Sequence, residues 1–163
     1  MKYLFFIFFI ITNLSHSYAN NQLLLHKEAK NIPDIKLNSL NYEDYSVLSA
    51  SKKNLYIVNF WATWCAPCIK EIPELHELDK NFEKIQVFLF NFDRLQGDEL
   101  EEQLMKFNVS LPALITDPSN FFDIDVPDAL PVSFIIDPNL SLSLTLKGPQ
   151  TEESILEAIN YSE

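Results

Sequence analysis

Cys65 and Cys68 are the only two cysteines of the 163-residue chain, and they stand three apart in the run Trp64-Cys65-Ala66-Pro67-Cys68. Two thiols at that spacing can be bridged, but the loop they close is too short to staple distant parts of a fold. A chain whose whole cysteine complement is one CxxC therefore points to redox chemistry rather than to scaffolding. Just upstream, Leu55-Tyr56-Ile57-Val58-Asn59-Phe60 is a nearly continuous apolar run of the kind that forms a central strand covered on both faces. Downstream, Ile69, Ile72, Leu75, Leu78 and Phe82 recur every three or four residues and predict a helix with one apolar face. The pair thus falls where a strand hands over to a helix, with Cys65 at the helix start. Unpaired N–H groups and the positive end of the helix dipole favour an anion there. Such placement lowers a thiol pKa from about 8.5 to roughly 7. Cys65 is thereby the candidate nucleophile toward a partner's disulfide, and Cys68, one turn on, the thiol that resolves the mixed disulfide. Pro67 suits the first helical turn, where its missing N–H costs nothing. Two other uses of the pair stay open on spacing alone: an inert disulfide, and half of a zinc site, which needs four ligands. The histidines are His16, His26 and His76, the last expected to be exposed on the helix.

The compartment in which such a dithiol works follows from the chain's first residues. Lys2 is the only charge among residues 1–19. An apolar run from Tyr3 to Thr12 follows it, then a polar stretch ending Ser17-Tyr18-Ala19. That order reads as a signal peptide cut after Ala19. The apolar run is about half the roughly 20 residues that span a bilayer, so an uncleaved membrane anchor is the weaker reading. Cleavage would remove one positive charge and no negative one, taking the net charge from −11 to −12. Such an acidic chain lacks the clustered positive charge that nucleic acids and anionic membranes require. The carboxylates are spread along the sequence and read as a solvated surface, with a preference for basic partners as the sharper alternative.

The remaining pattern supplies the frame. Residues 20–31 read as a loose segment, and Ile32-Pro33-Asp34-Ile35-Lys36-Leu37 as a short edge strand. After the first helix, which Pro73 should kink, come a second central strand from Ile85 to Phe90 and a helix from Asp98 to Asn108. A strand follows from Pro131 to Ile136, a turn at Asp137-Pro138-Asn139, and a half-exposed strand from Leu140 to Leu146. Thr151-Glu152-Glu153-Ser154 caps a last helix reaching Tyr161. Strands alternating with helices, then a hairpin and a helix, give one α/β domain over 32–163, with a mixed central sheet flanked by helices.

Asn59-Phe60-Trp61-Ala62-Thr63-Trp64-Cys65-Ala66-Pro67-Cys68, followed by Glu71 and Pro73, resembles the active-site segment of exported thioredoxin-like thiol-disulfide oxidoreductases of the TlpA/ResA type. The likeness extends over roughly residues 32–160, through Ile32-Pro33-Asp34, Leu130-Pro131 before an Ile-Ile-Asp strand, and Gly148. It implies a thioredoxin fold with an N-terminal extension and an insertion after the second central strand. It implies further that Pro131 is cis and faces the CxxC, and that Trp64, Ala66, Pro67, Leu130 and Pro131 line a substrate groove. Leu130 departs from the smaller or β-branched residues common before that proline. Glu71 matches an acidic residue near the dithiol, a candidate catalytic group that would take the proton of Cys68. The competing reading is an exposed helix glutamate beside Glu74 and Glu77. Asn59 stands where cytoplasmic thioredoxins carry a titrating aspartate, a role an amide cannot fill.

The function implied by the resemblance is a periplasmic, monomeric enzyme without cofactor or metal, which reduces disulfides in other proteins. Proline before the second cysteine is what reducing members carry. The expected partners are protein thiols and disulfides, apocytochrome c among them, and a membrane thiol reductant that recharges the pair. The alternatives are a general exported disulfide oxidoreductase with a repair role, and a non-catalytic thioredoxin-like module that binds metal.

Overall fold

The computed structural model of the protein describes residues 22–25, 36–39, 42–46, 55–120, 124–137 and 142–162. The expected signal peptide and residues 32–35 of the first expected strand lie outside these. Among the described residues no helix is long and apolar enough to cross a membrane.

Three strands form the centre of the sheet. Strand β4 (Leu55–Trp61) runs parallel to β5 (Ile85–Asn91) and antiparallel to β7 (Val132–Ile136). Every residue of β5 and β7 is buried, as is every residue of β4 after Leu55. This is what an apolar run without alternation requires: both faces must be covered. Tyr56, Val58 and Phe60 join one core cluster with Phe88, Phe90 and Phe134. Ile57 and Trp61 join the other. Helix α1 (Ala66–Asn81) adds Ile72, Leu75 and Leu78 to that second cluster, α2 (Gly97–Lys106) adds Leu100 and Leu104, and α3 (Glu152–Ser162) adds Ile155 and Ile159. Asp79, near the end of α1, accepts hydrogen bonds from the Gln86 amide at 2.9 Å and the Val87 N–H at 2.8 Å, which ties the helix to β5.

The full order across the sheet is β1 (Gln22–Leu25), β8 (Leu142–Lys147), β7, β4, β5, β6 (Ala113–Leu114), β2 (Lys36–Ser39) and β3 (Tyr42–Ser46). Strand β8 continues the β7 hairpin, and β6 lies parallel to β5. Strands β2 and β3 form an antiparallel pair at the far edge.

One expectation changes. Within the segment read as loose, Gln22–Leu25 is a strand, β1, which pairs antiparallel with β8 so that Leu23 faces Leu146 across the ladder. Its three leucines are hidden by polar flanks on both sides, and an edge strand is set by the ladder it joins more than by its own pattern. Pro73 lies inside α1, which runs on to Asn81. The other element ends fall within about two residues of those expected, apart from the first expected strand, of which Lys36 and Leu37 lie in β2, and the short strands β3 and β6, which were not anticipated.

Candidate active site

Strand β4 ends at Trp61, and the chain turns through Thr63 and Trp64 before α1 begins. The turn is closed by the Cys65 N–H donating to the Ala62 carbonyl at 3.1 Å. Cys65 is the N-cap of α1, with extended backbone at φ −89° and ψ 92°, and its Sγ accepts the Cys68 N–H at 3.2 Å. A sulfur placed here takes one of the unpaired donors of the first turn and sits on the positive end of the helix dipole. Both influences favour a thiolate once the pair is reduced. In this structure Cys65 and Cys68 are joined as a disulfide. Both are buried, Cys65 at 5% exposed being the outer of the two and Cys68 at 1% the inner. Ala66 and Pro67 between them are exposed, and Pro67 lies in the first turn as expected.

Trp64 is 64% exposed beside Cys65. Its indole N–H donates to both carboxylate oxygens of Asp93, at 3.1 and 3.0 Å, and its ring meets Phe92 edge-on at 6.3 Å. The exposed ring is therefore held in one pose. Trp61, by contrast, is fully buried, its ring nearly perpendicular to that of Phe107. Asp93 escaped the sequence reading. The one signal for it is its place at the end of β5, which leaves the sheet at the same end as β4, parallel beside it.

The Leu130–Pro131 peptide is cis, as the resemblance implies. Strand register shows where it lies. Phe60 pairs with Val132 across β4 and β7, so Pro131 comes level with Trp61, at the end of the sheet that delivers the dithiol. Gly148, at φ 88° where a side chain is disfavoured, donates its N–H to the Pro131 carbonyl at 2.9 Å. Leu130 is half-buried and packs against both core clusters.

Glu71 is 2% exposed, which removes the reading of an exposed helix glutamate. It lies one turn beyond Cys68 on the buried face of α1. Burial pushes its carboxyl up to about 8, against the opposing pull of hydrogen bonds from the Gln150 backbone and the Asn59 amide. The Asn59 Nδ2 lies 3.4 Å from Glu71 Oε1 and 2.9 Å from the Ser133 Oγ. Glu71 Oε2 is buried without a hydrogen-bond partner. At neutral pH this carboxyl therefore carries a proton while the disulfide is closed. Ser133 and Gln150 were not expected at the site, because only β-register and the turn after β8 bring them there.

His76, expected to be exposed, is half-buried and bound to Ser110: the Ser110 N–H donates to Nε2 at 3.3 Å, and the Ser110 Oγ lies 3.2 Å from Nδ1. Its partners make it a tie between α1 and the segment after α2.

The AhpC/TSA family profile matches residues 29–144. The thioredoxin-like protein YneN of Bacillus subtilis is 30% identical over 128 residues, spanning 77% of this chain and 74% of that protein. The thiol-disulfide oxidoreductase ResA of Bacillus thuringiensis is 28% identical over 134 residues, 80% of this chain and 74% of the relative. Among solved structures, StoA from Bacillus subtilis superposes with a TM-score of 0.62 at 21% identity, over 77% of this chain and 95% of its own. A DsbF homologue from Corynebacterium diphtheriae gives 0.71 at 16% identity, over 90% and 96%. Sheet order, cis-proline and capped CxxC agree with that likeness in fold, and the chain belongs to the AhpC/TSA family as a thioredoxin-like thiol-disulfide oxidoreductase of the ResA type.

Proposed function

We propose that the protein works outside the cytoplasm as a reductant of disulfides in other exported proteins. The observation that carries this reading is the Cys65 sulfur seated as N-cap of α1 over the Cys68 N–H. In the reduced enzyme the Cys65 thiolate attacks a partner disulfide, and one partner sulfur leaves. Cys68 then attacks Cys65 Sγ. The partner departs as a dithiol and the closed Cys65–Cys68 disulfide remains, the state of this structure. A thiol donor at the membrane recharges it by attacking Cys65, the more exposed sulfur. Cys68 then leaves as a thiolate next to the protonated Glu71, which returns a proton to it. Trp64, Ala66, Pro67, Leu130 and Pro131 form the groove that receives the partner chain, with the Trp64 ring as its exposed apolar wall. Apocytochrome c, its two haem-binding cysteines oxidised, is the substrate to which the resemblance points, and the terminal segment 1–19 supports export.

Direction of electron flow is read by equilibrating the protein with thiol–disulfide buffers. The expected potential lies near that of thioredoxin, about −270 mV. A value near about −120 mV, as for a strong oxidant, would reverse the assigned direction.

A further inference from the structure

We propose that Asn59 and Ser133 act as a clamp that orients the Glu71 carboxyl for proton exchange with Cys68, which makes both of them positioning residues of the dithiol reaction. The inference rests on the reading of Glu71 as the proton-handling group and adds the residues that aim it. Asn59 and Ser133 are direct partners in the β4–β7 ladder. Their side chains reach into the cluster that holds Ile57, Trp61 and the buried face of α1. Asn59, Ser133 and Glu71 are 1%, 1% and 2% exposed. Packing alone does not call for an amide and a hydroxyl among these neighbours, because a buried polar group is costly unless it is bonded.

The bonds divide the work. An amide nitrogen has two hydrogens. One goes to the Ser133 hydroxyl at 2.9 Å, which fixes the rotation of the amide. The other is then directed at Glu71 Oε1, 3.4 Å away. With Oε1 held, Oε2 is the oxygen left to carry the proton, and it has no partner. The ionisable groups on the surrounding elements are few. Helix α1 carries Cys68 and, a turn beyond Glu71, Glu74. Helix α3 begins with Glu152, whose N–H donates to Glu74 at 3.0 Å. β4, β7 and the turn after β8 contribute Asn59, Ser133 and Gln150, none of which titrates.

When a donor thiolate opens the disulfide, the Cys65–Cys68 bond breaks and its electron pair goes to Cys68. The proton on Glu71 Oε2 moves to that sulfur, and the carboxylate left behind is stabilised by the Asn59 N–H at Oε1 and by the Gln150 backbone N–H. The second thiol of the donor then releases Cys65, so that the donor dithiol is oxidised and the enzyme's pair reduced.

The test uses the full protein, with dithiothreitol as reductant. The rate of opening of the Cys65–Cys68 disulfide is followed against pH and expressed relative to Glu71→Gln, which cancels the reductant's own titration. Wild type should show a break set by Glu71. Ser133→Val and Asn59→Leu should move that break upward by about one pH unit, since a hydrogen bond favouring the carboxylate is lost. Ser133→Thr, which keeps the hydroxyl in the shape of Val, should leave it in place. A merely structural role would lower the Tm of these variants and leave the break unmoved. An unmoved break in folded Ser133→Val overturns the clamp, whether or not Asn59→Leu folds. A wild-type profile that parallels Glu71→Gln, with no break, overturns the underlying reading of Glu71 itself.

Discussion

Replacing Cys65 with Ser is expected to bring disulfide-reductase turnover down to the uncatalysed rate, a loss of at least about 10³-fold. Cys68→Ser should abolish turnover as completely but by a different route. Cys65 would still attack, and the mixed disulfide would persist because nothing resolves it. The asymmetry comes from position. Cys65 is the N-cap, holds the Cys68 N–H on its sulfur, and is the more exposed of the two. Cys68 lies inside the first turn and is sealed from solvent. Assay with a disulfide-bonded protein substrate, followed by non-reducing electrophoresis, separates the outcomes. Cys68→Ser should run as a covalent adduct that a reductant dissolves, and Cys65→Ser as a free chain. Adduct formation by Cys65→Ser, or turnover by either variant near the wild-type rate, would reverse the assigned roles.

Replacing Glu71 with Gln should change the pH dependence of stability more than any other single substitution at the site. Burial raises the carboxyl from 4.5 to about 8 in the folded, oxidised protein, while in the unfolded chain it titrates near 4.5. Below 4.5 both states hold the proton and there is no effect. Between 4.5 and about 8 the unfolded chain has released its proton and the folded protein has not, so stability falls as pH rises. At about 1.4 kcal/mol per pH unit, the loss across this window is on the order of 3–5 kcal/mol. Gln cannot ionise, so this contribution disappears. Urea unfolding at a series of pH values should give curves for the two proteins that diverge from pH 4.5 upward, with Glu71→Gln the more stable at pH 8. Parallel curves would show that Glu71 titrates normally in the folded state.

The dithiol, its strand and its helix were legible because each is a local signal: two thiols three apart, an apolar run, a three-to-four spacing. The burial of Glu71 was legible in part. Cys68, Glu71, Leu75 and Leu78 step by three, four and three, so one helical face holds all four. A reading that counts only apolar residues misses the glutamate on that face. What the sequence could not carry is register. Asn59 and Ser133 are 74 residues apart, and Trp64 and Asp93 are 29 apart. Nothing local marks either pair, and both appear only once strand pairing is set. The strands at the sheet edges were hidden for a related reason. Gln22–Leu25 is a short leucine run between polar flanks, Tyr42–Ser46 carries two acidic residues, and Ala113–Leu114 is only two residues long. Such strands are defined by their neighbours, not by a pattern of their own.

The most direct measurement is competitive alkylation of the reduced protein. Limiting iodoacetamide is added near pH 7, and the modified cysteine is identified by mass spectrometry. The thiolate is the reactive form, and α1 favours it at Cys65 while Cys68 is sealed from solvent. The expected result is label on Cys65 at least about ten times faster than on Cys68. Equal labelling, or label first on Cys68, would contradict the assignment of Cys65 as the attacking sulfur.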